Sequence, residues 1–495
     1  MSIEHLDVLI VGAGLSGVGA ACHLRRLCPG KRVAVLEGRA ALGGTWDLFR
    51  YPGVRSDSDM YTLGYNFRPW REPQAIADGP AIRRYIEDTA REHGVDRLIR
   101  YRHRVLEADW CSASTSWQLL VQRGDEAEPL RMSCQFLMMC TGYYRYEAGY
   151  TPDFAGREDF QGTFIHPQLW PQDFDYTGKR VLVIGSGATA VTLVPALAER
   201  AAQVTMLQRS PSYVINLPQR DALSNALRRV LPEAWVYRLA RGRNVSLQLL
   251  FYKLAKACPR LVRRLLLGLV RRQLGAGFDM RHFSPSYQPW DQRVCAVPDG
   301  DLFRVLRQGR AAVVTAEIER FTAGGVRLKN GEELPADVVV SATGLELQLF
   351  GGIAVSVDGA PFEAPRSMGY RGIMLRDLPN LAVILGYTNA SWTLKADLSS
   401  EYFCRLIHHL DAIGMRQATP RDSTGDVRPA PFLDLKSGYI QRAAHLLPAQ
   451  GDRAPWKLYQ NYALDLALLR YGKLEDGYLQ FSQPSTTQGG ALAPS

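Results

Sequence analysis

Two glycine-rich loops contain the residues whose types and spacing best support chemistry. The first reads Gly12-Ala-Gly14-Leu-Ser16-Gly17 and the second Gly185-Ser-Gly187-Ala-Thr189-Ala190, and each lies between an apolar run and a helix-compatible stretch. In such a loop the first glycine permits a tight turn, the second lets the backbone approach a pyrophosphate, and the third small residue lets the helix pack on the strand. The free N–H groups at the start of the helix then bind the phosphates. Two loops predict two bound dinucleotides, and dinucleotides that face each other indicate electron transfer.

An acidic residue follows the first loop at the distance that a ribose requires. Glu37 lies 20 residues after Gly17, at the end of the next predicted strand. A carboxylate at this position accepts hydrogen bonds from a ribose diol. The alternative is a glycine turn that holds no ligand. The strand before the loop, the helix after it and the acid at this offset favour a dinucleotide.

The second loop lacks such an acid and is followed by a basic residue instead. Arg209 and Ser210 lie 19 and 20 residues after Ala190. A guanidinium and a hydroxyl bind a 2′-phosphate, which a carboxylate would repel. The second site is therefore predicted to prefer NADPH over NADH. The alternative is a surface arginine that happens to follow a strand.

The loops belong to two βαβ units, which together predict an α/β fold with two Rossmann-like dinucleotide-binding domains. Two further apolar runs each end in a Thr-Gly turn, which is a weak mark of a chain crossing between such domains. The predicted strands and helices of the two units, followed by the two further runs, are Leu6–Val11, Ser16–Cys28, Arg32–Leu36, Arg180–Ile184, Ala188–Arg200, Gln203–Leu207, Phe136–Cys140 and Val338–Ser341.

The simplest division of the chain places one domain inside the other. The first dinucleotide-binding domain is predicted in two parts, at 1–145 and at 335–480. The NADPH-binding domain is predicted at 146–334 and includes a helical basic segment at 221–285. The tail, 481–495, is rich in Ser, Thr, Gly, Pro and Gln and is predicted to be disordered.

A third pattern lies between the two loops and indicates a family. The residues Phe160-x-Gly162-x3-His166-x3-Trp170-Pro171 fit, at every fixed position, the fingerprint of the Baeyer–Villiger type of class B flavoprotein monooxygenase, which this chain therefore resembles. The stretches 43–59 and 386–397 further resemble the subgroup that includes the mycobacterial monooxygenase that activates thioamide prodrugs. The resemblance extends to about residue 480 and is weakest over 221–285.

The resemblance implies cofactor sites and a catalytic pair. FAD would bind the first loop and NADPH the second. Arg293 matches the active-site arginine of the family and Asp57 the acid that pairs with it. The family often has lysine just before that arginine, where it helps to bind the phosphate of the nicotinamide cofactor; Gln292 stands there in this chain and leaves more of that role to Arg209 and Ser210. The positions matched to the flavin are Thr45, Trp46 and Asp57, the position matched to the adenine is Val105, and Gln292 and Arg293 are matched to the nicotinamide cofactor.

The reaction implied by the resemblance is oxygen insertion next to a ketone carbonyl, which gives an ester or lactone by way of a flavin C4a-peroxide; sulfides are possible further substrates. Arg293 would stabilise the negative charge, while His166 would hold the linker between domains in position. The nearest alternative is a flavin-containing monooxygenase that oxygenates nitrogen and sulfur, which usually lacks the Trp-Pro ending. Further alternatives are an NADPH oxidase or reductase, and a membrane-associated protein that is not an enzyme.

The composition is that of an ordinary globular protein. The 495 residues are 46% hydrophobic and 22% charged, which is enough for two or three domains. The opening residues Met1–His5 lack a basic stretch followed by an apolar core, so a signal peptide is not expected. The eight cysteines contain no C-x-x-C pair, which argues against a dithiol centre and a zinc ribbon. We therefore predict a cytoplasmic protein without a metal site.

One segment accounts for the whole net charge of +10. Residues 221–281 contain 13 lysines and arginines against three acidic residues, and they read as amphipathic helices. One interpretation is a helical excursion of the NADPH domain with a solvated basic face. The other is peripheral attachment to an anionic membrane, which would bring the enzyme close to apolar substrates. No nucleic-acid-binding motif accompanies the charge, so that partner is not predicted.

Overall fold

The computed structural model describes residues 3–433 and 437–484 and contains two large sheets within them. The first sheet has nine strands, and its central strands are parallel. In spatial order they are Ala360–Pro361, Ala354–Val357, His103–Cys111, Ser116–Arg123, Leu130–Met139, Glu4–Val11, Val33–Glu37 and Ile99–Tyr101, and Leu381–Val383 pairs with Leu130–Met139 as well.

The first βαβ unit forms as the sequence predicts. The strand Glu4–Val11 is followed by the helix Leu15–Leu27 and by the parallel strand Val33–Glu37. The helix has ten buried residues because it packs on the sheet and against the long helix Trp392–Ile413. This burial fixes the N-terminus of the helix at the carboxyl end of the first strand, where parallel sheets bind ligands.

The second sheet has five parallel strands within the described residues. In spatial order they are Ala311–Thr315, Gln203–Gln208, Arg180–Ile184, Val338–Ser341 and Thr163–Ile165. The helices Ala188–Leu197 and Asp301–Arg307 pack in the same core. The predicted fold class, α/β with two Rossmann-like domains, is confirmed.

The structure moves one predicted domain boundary. The strand Val338–Ser341 was assigned to the second part of the FAD-binding domain, but it pairs with Arg180–Ile184 and Thr163–Ile165 in the second sheet. The inserted domain therefore extends beyond 334 and ends near the turn at 342–344. A run of four buried β-branched and small residues fits the centre of either sheet equally well, so the pattern alone could not assign it.

The basic segment forms helices, as predicted, between two short parallel strands, Val214–Leu217 and Cys295–Pro298. The helices are Ala222–Leu227, Glu233–Ala257 and Pro259–Leu274. The helix Glu233–Ala257 also packs on the first domain, where Tyr237 Oη donates to Tyr65 O at 2.9 Å and Asn244 Nδ2 donates to Asp59 Oδ1 at 2.9 Å. Its C-terminal part packs on the inserted domain, where Ala255 lies in one cluster with Tyr213 and Val294.

The remaining elements are short. The helices are Thr45–Leu48, Met60–Leu63, Gly79–Glu92, Gly438–Ala443 and Tyr462–Arg470. The 3-10 turns are Asp96–Leu98, Arg157–Asp159, Pro167–Leu169, Met280–Phe283, Leu349–Gly352, Ala364–Arg366 and Ala444–Leu446. The strands are Tyr144–Gly149, Ile318–Thr322, Gly325–Leu328, Glu333–Pro335, Leu345–Leu347, Gly369–Tyr370, Met374–Leu375, Gln417–Pro420, Pro429–Pro431, Ala449–Gly451 and Leu479–Ser482.

The strand Leu479–Ser482 shows that the chain is ordered beyond the predicted start of the tail. Leu479–Ser482 pairs antiparallel with Gln417–Pro420, so residues 481 and 482 are ordered in a sheet and the predicted disordered tail cannot begin at 481. The rest of that prediction, over 485–495, lies outside the described residues. Among the helices of 3–433 and 437–484, none combines the length and the apolar character that a bilayer crossing requires.

Candidate active site

The first glycine loop is built around two contacts that exclude a side chain. A Cβ atom on Gly17 would lie 1.8 Å from Gly12 O, and one on Gly12 would lie 2.6 Å from Cys140 O. The φ of Gly12 is also +101°, a conformation that favours glycine. The helix therefore begins directly against the end of the first strand. The backbone N–H groups of its first turn are available to a pyrophosphate, as the sequence predicts.

Glu37 is fixed by two backbone amides beside this loop. Its Oε2 accepts a hydrogen bond from Ala13 N at 2.8 Å and its Oε1 accepts one from Arg39 N at 2.9 Å. Each oxygen keeps a further lone pair for a ribose hydroxyl. Together with Val105, Glu37 lines a cavity of about 330 Å³, which we call the loop cavity. The structure thus brings together the residues predicted for the ribose and for the adenine.

A second cavity of about 280 Å³, which we call the interdomain cavity, continues from the loop cavity. Its walls come from both loops and include Ser16, Thr45, Trp46, Asp57 and Thr189. The residues lining both cavities include Gly14, Cys140, Tyr144 and Tyr146. The two cavities form one groove over the first loop, with the ribose acceptor at one end and aromatic walls at the other. This groove fits an extended dinucleotide that carries a flat ring system, such as FAD.

Asp57 and Arg293 form an ion pair in the wall of the interdomain cavity. Arg293 Nη2 lies 3.0 Å from Asp57 Oδ2 and 3.1 Å from Asp57 Oδ1. The charge of Asp57 raises the pKa of Arg293 above its ordinary value, so the guanidinium is a permanent cation. The side chains are 40% and 27% exposed to the cavities, so the pair is accessible to ligands.

The segment that carries Asp57 is clamped across the domain boundary. Arg55 makes a bidentate ion pair with Asp301, at 2.5 and 3.3 Å, and Asp301 is the first residue of a helix in the second domain. Gly53 packs so closely on the helix Ala188–Leu197 that a Cβ atom would lie 2.8 Å from Ala196 Cβ. These contacts with the second domain position the segment 50–57 and therefore Asp57.

A third cavity of about 380 Å³, which we call the apolar cavity, adjoins the interdomain cavity. The residues lining both include Tyr143, Arg293, Tyr387 and Trp392. Most of the remaining wall is aliphatic or aromatic and includes Leu347, Leu349, Leu385, Phe432, Ile440, Leu447 and Leu458. Arg293 is thus the cation at the junction of the polar groove and a space suited to an apolar molecule.

The second glycine loop is open where the first is closed. A Cβ atom on Gly187 would meet no heavy atom within 4 Å, which leaves the backbone accessible to a phosphate. Gly185 is constrained, with φ +139° and Ala342 O at 2.4 Å from a built Cβ. Ala190 is fully buried, so this predicted residue packs the helix on the sheet and cannot contact a ligand. Thr189 faces the interdomain cavity.

The residues predicted to select NADPH lie beside this loop, at the end of the strand Gln203–Gln208. Arg209 and Ser210 are both exposed there, and Ser186 Oγ donates to Ser210 O at 2.9 Å. This contact ties the second loop to the segment that would bind a 2′-phosphate. Gln292 is half-buried next to Arg293 and does not line the three cavities. Its predicted contact with the nicotinamide cofactor stays a prediction.

His166, from the fingerprint, lies at the crossing between the domains. Its Nε2 donates to Gly344 O at 3.1 Å, and its Nδ1 accepts from Gln168 N at 3.2 Å. Burial lowers the pKa of His166, which favours this neutral form. Both nitrogens are occupied by backbone groups of the crossing segments, and His166 does not line the three cavities. This placement is that of a positioning residue.

Sequence reasoning missed three aromatic residues of the cavity walls. Trp392 stacks on Tyr143 with ring centroids 5.4 Å apart, and its Nε1 donates to Ser16 Oγ at 2.7 Å. Tyr387 closes the same wall and donates to Asp465 Oδ2 at 2.6 Å. Two features of the sequence mark these residues: the Thr-Gly turn before Tyr143 and the stretch 386–397. The sequence alone does not show that these two segments lie next to each other.

The fold and the site define a class: an oxidoreductase with a groove for a flavin dinucleotide, a second dinucleotide loop facing that groove, and an apolar cavity that adjoins it. Comparison with known families agrees. A family described as flavin-binding monooxygenase-like matches residues 73–350, and an NAD(P)-binding Rossmann-like domain matches residues 10–72. The chain belongs to the flavin-binding monooxygenase family.

Curated relatives cover almost the whole chain. The FAD-containing monooxygenase EthA of Mycobacterium tuberculosis is 53% identical over 97% of this chain and 98% of that protein. The putative FAD-containing monooxygenase MymA of the same species is 51% identical over 97% and 98%. Among solved structures, an oxidised steroid monooxygenase bound to NADP is 21% identical, covers 97% of this chain and 100% of its own, and superposes with a TM-score of 0.76.

These comparisons confirm three predictions: the family, the class of NADPH-dependent flavin monooxygenase, and the cofactor pair of FAD and NADPH. The partner of the chain is a small-molecule substrate. The individual roles of the site residues stay predictions, which the geometry above makes specific.

Proposed function

We propose that the chain catalyses the NADPH- and O2-dependent insertion of one oxygen atom next to a ketone carbonyl, which gives an ester or lactone, and that it also oxidises sulfides. The observation that carries this proposal is the place of Arg293, whose side chain lines both the interdomain cavity and the apolar cavity. A fixed cation at that junction can act on a carbonyl oxygen that enters from the apolar side while the cofactors occupy the other side.

FAD is proposed to lie along the loop cavity and the interdomain cavity. Glu37 would accept the ribose hydroxyls and Val105 would pack beside the adenine, as their shared cavity supports. The ring system would lie among Thr45, Trp46 and Asp57, which line the interdomain cavity. When bound and reduced by NADPH, FAD supplies the activated oxygen of the reaction.

NADPH is proposed to bind the second loop. The open backbone at Gly187 and the start of the helix Ala188–Leu197 would hold the pyrophosphate. Arg209 and Ser210 would bind the 2′-phosphate, since both are exposed beside the loop. Thr189 lines the interdomain cavity and so supports a path from the loop toward the flavin.

Arg293 is proposed to stabilise the negative charge that develops on the attacked carbonyl oxygen. A group that must stay positive throughout the reaction is best an arginine, and the pKa of Arg293 is raised further by Asp57. Asp57 would hold the guanidinium at the junction through the contacts of 3.0 and 3.1 Å. Tyr143 and Trp392 stack in the adjoining wall, where they would exclude water.

The substrate is proposed to be an apolar ketone or sulfide. The wall of the apolar cavity is formed mainly by leucine, isoleucine and aromatic side chains, which favour hydrocarbon over polar groups. Two cations of the wall are paired within it: Lys395 lies 3.0 Å from Asp465, and Arg371 lies 2.8 Å from Asp476. These two pairs are neutralised within the wall and do not favour a charged substrate. Lys457 also lines the cavity, with its Nζ 5.9 Å from the ring centroid of Tyr459.

The test is turnover of a panel of linear, cyclic and aryl ketones, one sulfide and one amine with NADPH and O2, with product analysis. We expect esters or lactones from ketones. In Arg293→Ala we expect FAD to remain bound and ester formation to fall by about 10²- to 10³-fold, the loss typical when one stabilising donor is removed. Arg293→Lys, which keeps a cation but not the paired geometry, is the matched control. Its rate of ester formation should lie between those of the wild type and Arg293→Ala.

Two outcomes would count against the proposal. Oxidation of the sulfide and the amine without any ester would support a nitrogen- and sulfur-oxygenating enzyme instead. Ester formation by Arg293→Ala at the wild-type rate would remove Arg293 from the mechanism while leaving the reaction itself in place.

We further propose that the chain works in the cytoplasm and that residues 221–281 make peripheral contact with an anionic membrane. All eight cysteines are free thiols, which supports a reducing compartment. The basic segment, with its 13 lysines and arginines, supplies the charge that would attract anionic lipid. Neither proposal alters the reaction proposed above.

A further inference from the structure

The exposed apolar surface of the described residues is concentrated in one part of the chain. Eleven of their twenty exposed large hydrophobic side chains lie between residues 223 and 269. A solvated basic face does not explain these exposed apolar side chains, because the solvent-facing side of a helix is normally polar. Single exposed leucines need no explanation, but a concentration of this kind marks an interaction site.

The side chains lie in a stripe on each of two helices. On Glu233–Ala257 the stripe is Trp235, Leu239, Leu247, Leu250 and Leu254, and these side chains are between 38% and 63% exposed. Their spacings of three, four and eight residues place them on one face of a helix. The buried residues Tyr237 and Val245 lie on the opposite face of this helix.

The second helix, Pro259–Leu274, repeats the arrangement. Leu261, Leu265 and Leu269 recur every four residues and are 51% to 55% exposed. Four residues of the other face, Val262, Leu266, Val270 and Leu274, are buried against the protein. The stripe is therefore not the packing face of the helix, because that face is already used.

Exposed basic side chains flank both stripes. They include Arg238, Lys253, Arg260, Arg264, Arg271 and Arg272. A helix with leucine and tryptophan on one side and arginine and lysine at its flanks is the pattern of an element that lies in a membrane interface, where the apolar side chains enter the acyl region and the cations contact lipid phosphates. A second copy of this chain would bring like charges together at the same surface and is disfavoured.

The inner face of the first helix contacts the wall of the active site. Val245 packs in one cluster with Tyr387 and Leu394, and Leu249 packs against the same cluster. Tyr387 lines both the interdomain cavity and the apolar cavity. The exposed stripe is thus separated from the cavity wall by the thickness of one helix, about 10 Å.

We propose that the two stripes dock the enzyme on an anionic bilayer by inserting their apolar side chains, and that the ketone reaches the apolar cavity from that bilayer. The uptake of the ketone rests on the proposed reaction, whereas the docking assigns the membrane contact proposed above for residues 221–281 to two particular helix faces and does not depend on that reaction. The substrate class that follows is an apolar ketone that partitions into lipid, taken up beside the helix Glu233–Ala257 and not from bulk water.

The docking is tested with the full-length FAD-loaded enzyme and two kinds of vesicle: phosphatidylcholine mixed with phosphatidylglycerol, and phosphatidylcholine alone. We expect co-sedimentation with the mixed vesicles. The double variant Leu250→Glu/Leu265→Glu, with one change in each stripe, should bind at least about tenfold more weakly because two inserted side chains become charged. The matched control Leu27→Glu/Ile413→Glu changes exposed side chains at the ends of two other helices, Leu15–Leu27 and Trp392–Ile413, and should bind as the wild type does.

The uptake of substrate is tested with two ketones, one that dissolves in water and one that partitions into the vesicles. We expect mixed vesicles to raise turnover of the partitioned ketone by the wild type and not by the double variant, with equal turnover of the soluble ketone by both. Equal turnover of the soluble ketone also shows that the variant is folded. A failure to turn over either ketone would contradict the proposed function without affecting the sedimentation result.

Two results would overturn the docking proposal. The first is undiminished sedimentation of Leu250→Glu/Leu265→Glu with mixed vesicles. The second is self-association of the wild type without vesicles that the same variant abolishes, which would make the stripes an interface between copies. Docking without any gain for the partitioned ketone would overturn the uptake step alone.

Discussion

Arg293 and Asp57 stand 236 positions apart in the chain and meet with Arg293 Nη2 placed 3.0 Å from Asp57 Oδ2, at the boundary of the two nucleotide domains. Each partner is fixed by different elements: Asp57 lies two residues after Arg55, which is paired with Asp301, and Arg293 lies two residues before the strand Cys295–Pro298 of the inserted domain. The pair therefore depends on how the domains are placed, and the position of the cation is coupled to the position of the two cofactor loops.

This coupling predicts the effect of Asp57→Asn. The change keeps the size of the side chain but removes the charge that holds the guanidinium, so Arg293 should become mobile. We expect oxygenated product per unit time to fall by about 10²-fold, as is usual when a reacting group is misplaced by about 1 Å. NADPH consumption should continue and yield H2O2. The measurement is the ratio of product to NADPH consumed, with flavin absorbance to show that FAD is retained.

The control for this prediction is Asp57→Glu, which keeps the charge and should recover part of the coupling. Full coupling in Asp57→Asn would show that the clamp on Asp57 is a feature of folding and not of the reaction.

The exposed position of Arg209 predicts how the enzyme distinguishes its two nicotinamide cofactors. Arg209→Ala removes a cation that only NADPH would engage. Hydrogen bonds to charged groups contribute about 1.5–3 kcal/mol, so the KM for NADPH should rise by roughly 10- to 100-fold. The KM for NADH should not change. The measurement is the KM for NADPH and for NADH from steady-state kinetics. The control is Arg327→Ala, which removes an exposed arginine on another strand of the domain. Equal effects on the two cofactors would exclude the 2′-phosphate assignment.

The two βαβ units were predictable because their signals are local. Strand, glycine loop and helix follow one another within about 30 residues, so apolar runs and loop spacing determine them without knowledge of the rest of the chain. The strand Arg180–Ile184 is observed at its predicted bounds. By contrast, the sequence predicts Val338–Ser341 as a strand but not its place in the second sheet, because strand pairing is a contact between distant segments.

The walls of the site could not be predicted for the same reason. Tyr143 and Trp392 stack although about 250 residues separate them. No sequence pattern predicts that two such distant aromatic residues will be in contact. The exposed leucines of the basic segment show a further limit. A helical period of apolar residues predicts an amphipathic helix, but Val262 and Leu261 are neighbours in sequence, and only the structure assigns the first to the core and the second to the surface.

The buried, neutral state of His166 predicts a pH dependence of stability. Burial lowers the pKa of His166 in the folded protein below its unfolded value of about 6.5. The unfolded chain then binds more protons in that range, so the stabilising contribution is complete above the unfolded pKa and is lost as the pH falls below it. We expect thermal midpoints of the wild type to fall on acidification, and the fall to be smaller in His166→Gln, whose amide can still donate to Gly344 O.

The measurement is the difference between the two proteins in unfolding midpoint over about pH 5 to 8. His93 and His282, whose pKa values burial also lowers, are present in both proteins, so the difference isolates His166. Parallel curves for the two proteins would mean that His166 does not govern the acid sensitivity.

The two glycine loops predict opposite outcomes for the same substitution. In Gly17→Ala the new methyl group would lie 1.8 Å from Gly12 O, a backbone atom that cannot move without displacing the first strand. We expect loss of FAD and a lower unfolding midpoint, since overpacking a rigid contact costs roughly 1–3 kcal/mol or more. In Gly187→Ala the methyl group meets nothing within 4 Å, so the fold and FAD should be retained.

The Gly187→Ala protein then isolates the role of the second loop. If the pyrophosphate of NADPH lies against that backbone, the methyl group occupies its space, and the KM for NADPH should rise while the unfolding midpoint and the flavin content stay at wild-type values. NADH carries the same pyrophosphate, so its KM should rise as well, in contrast to Arg209→Ala. A Gly187→Ala enzyme with unchanged KM for both cofactors would place the pyrophosphate elsewhere, because the added methyl group projects into the open space in front of this backbone.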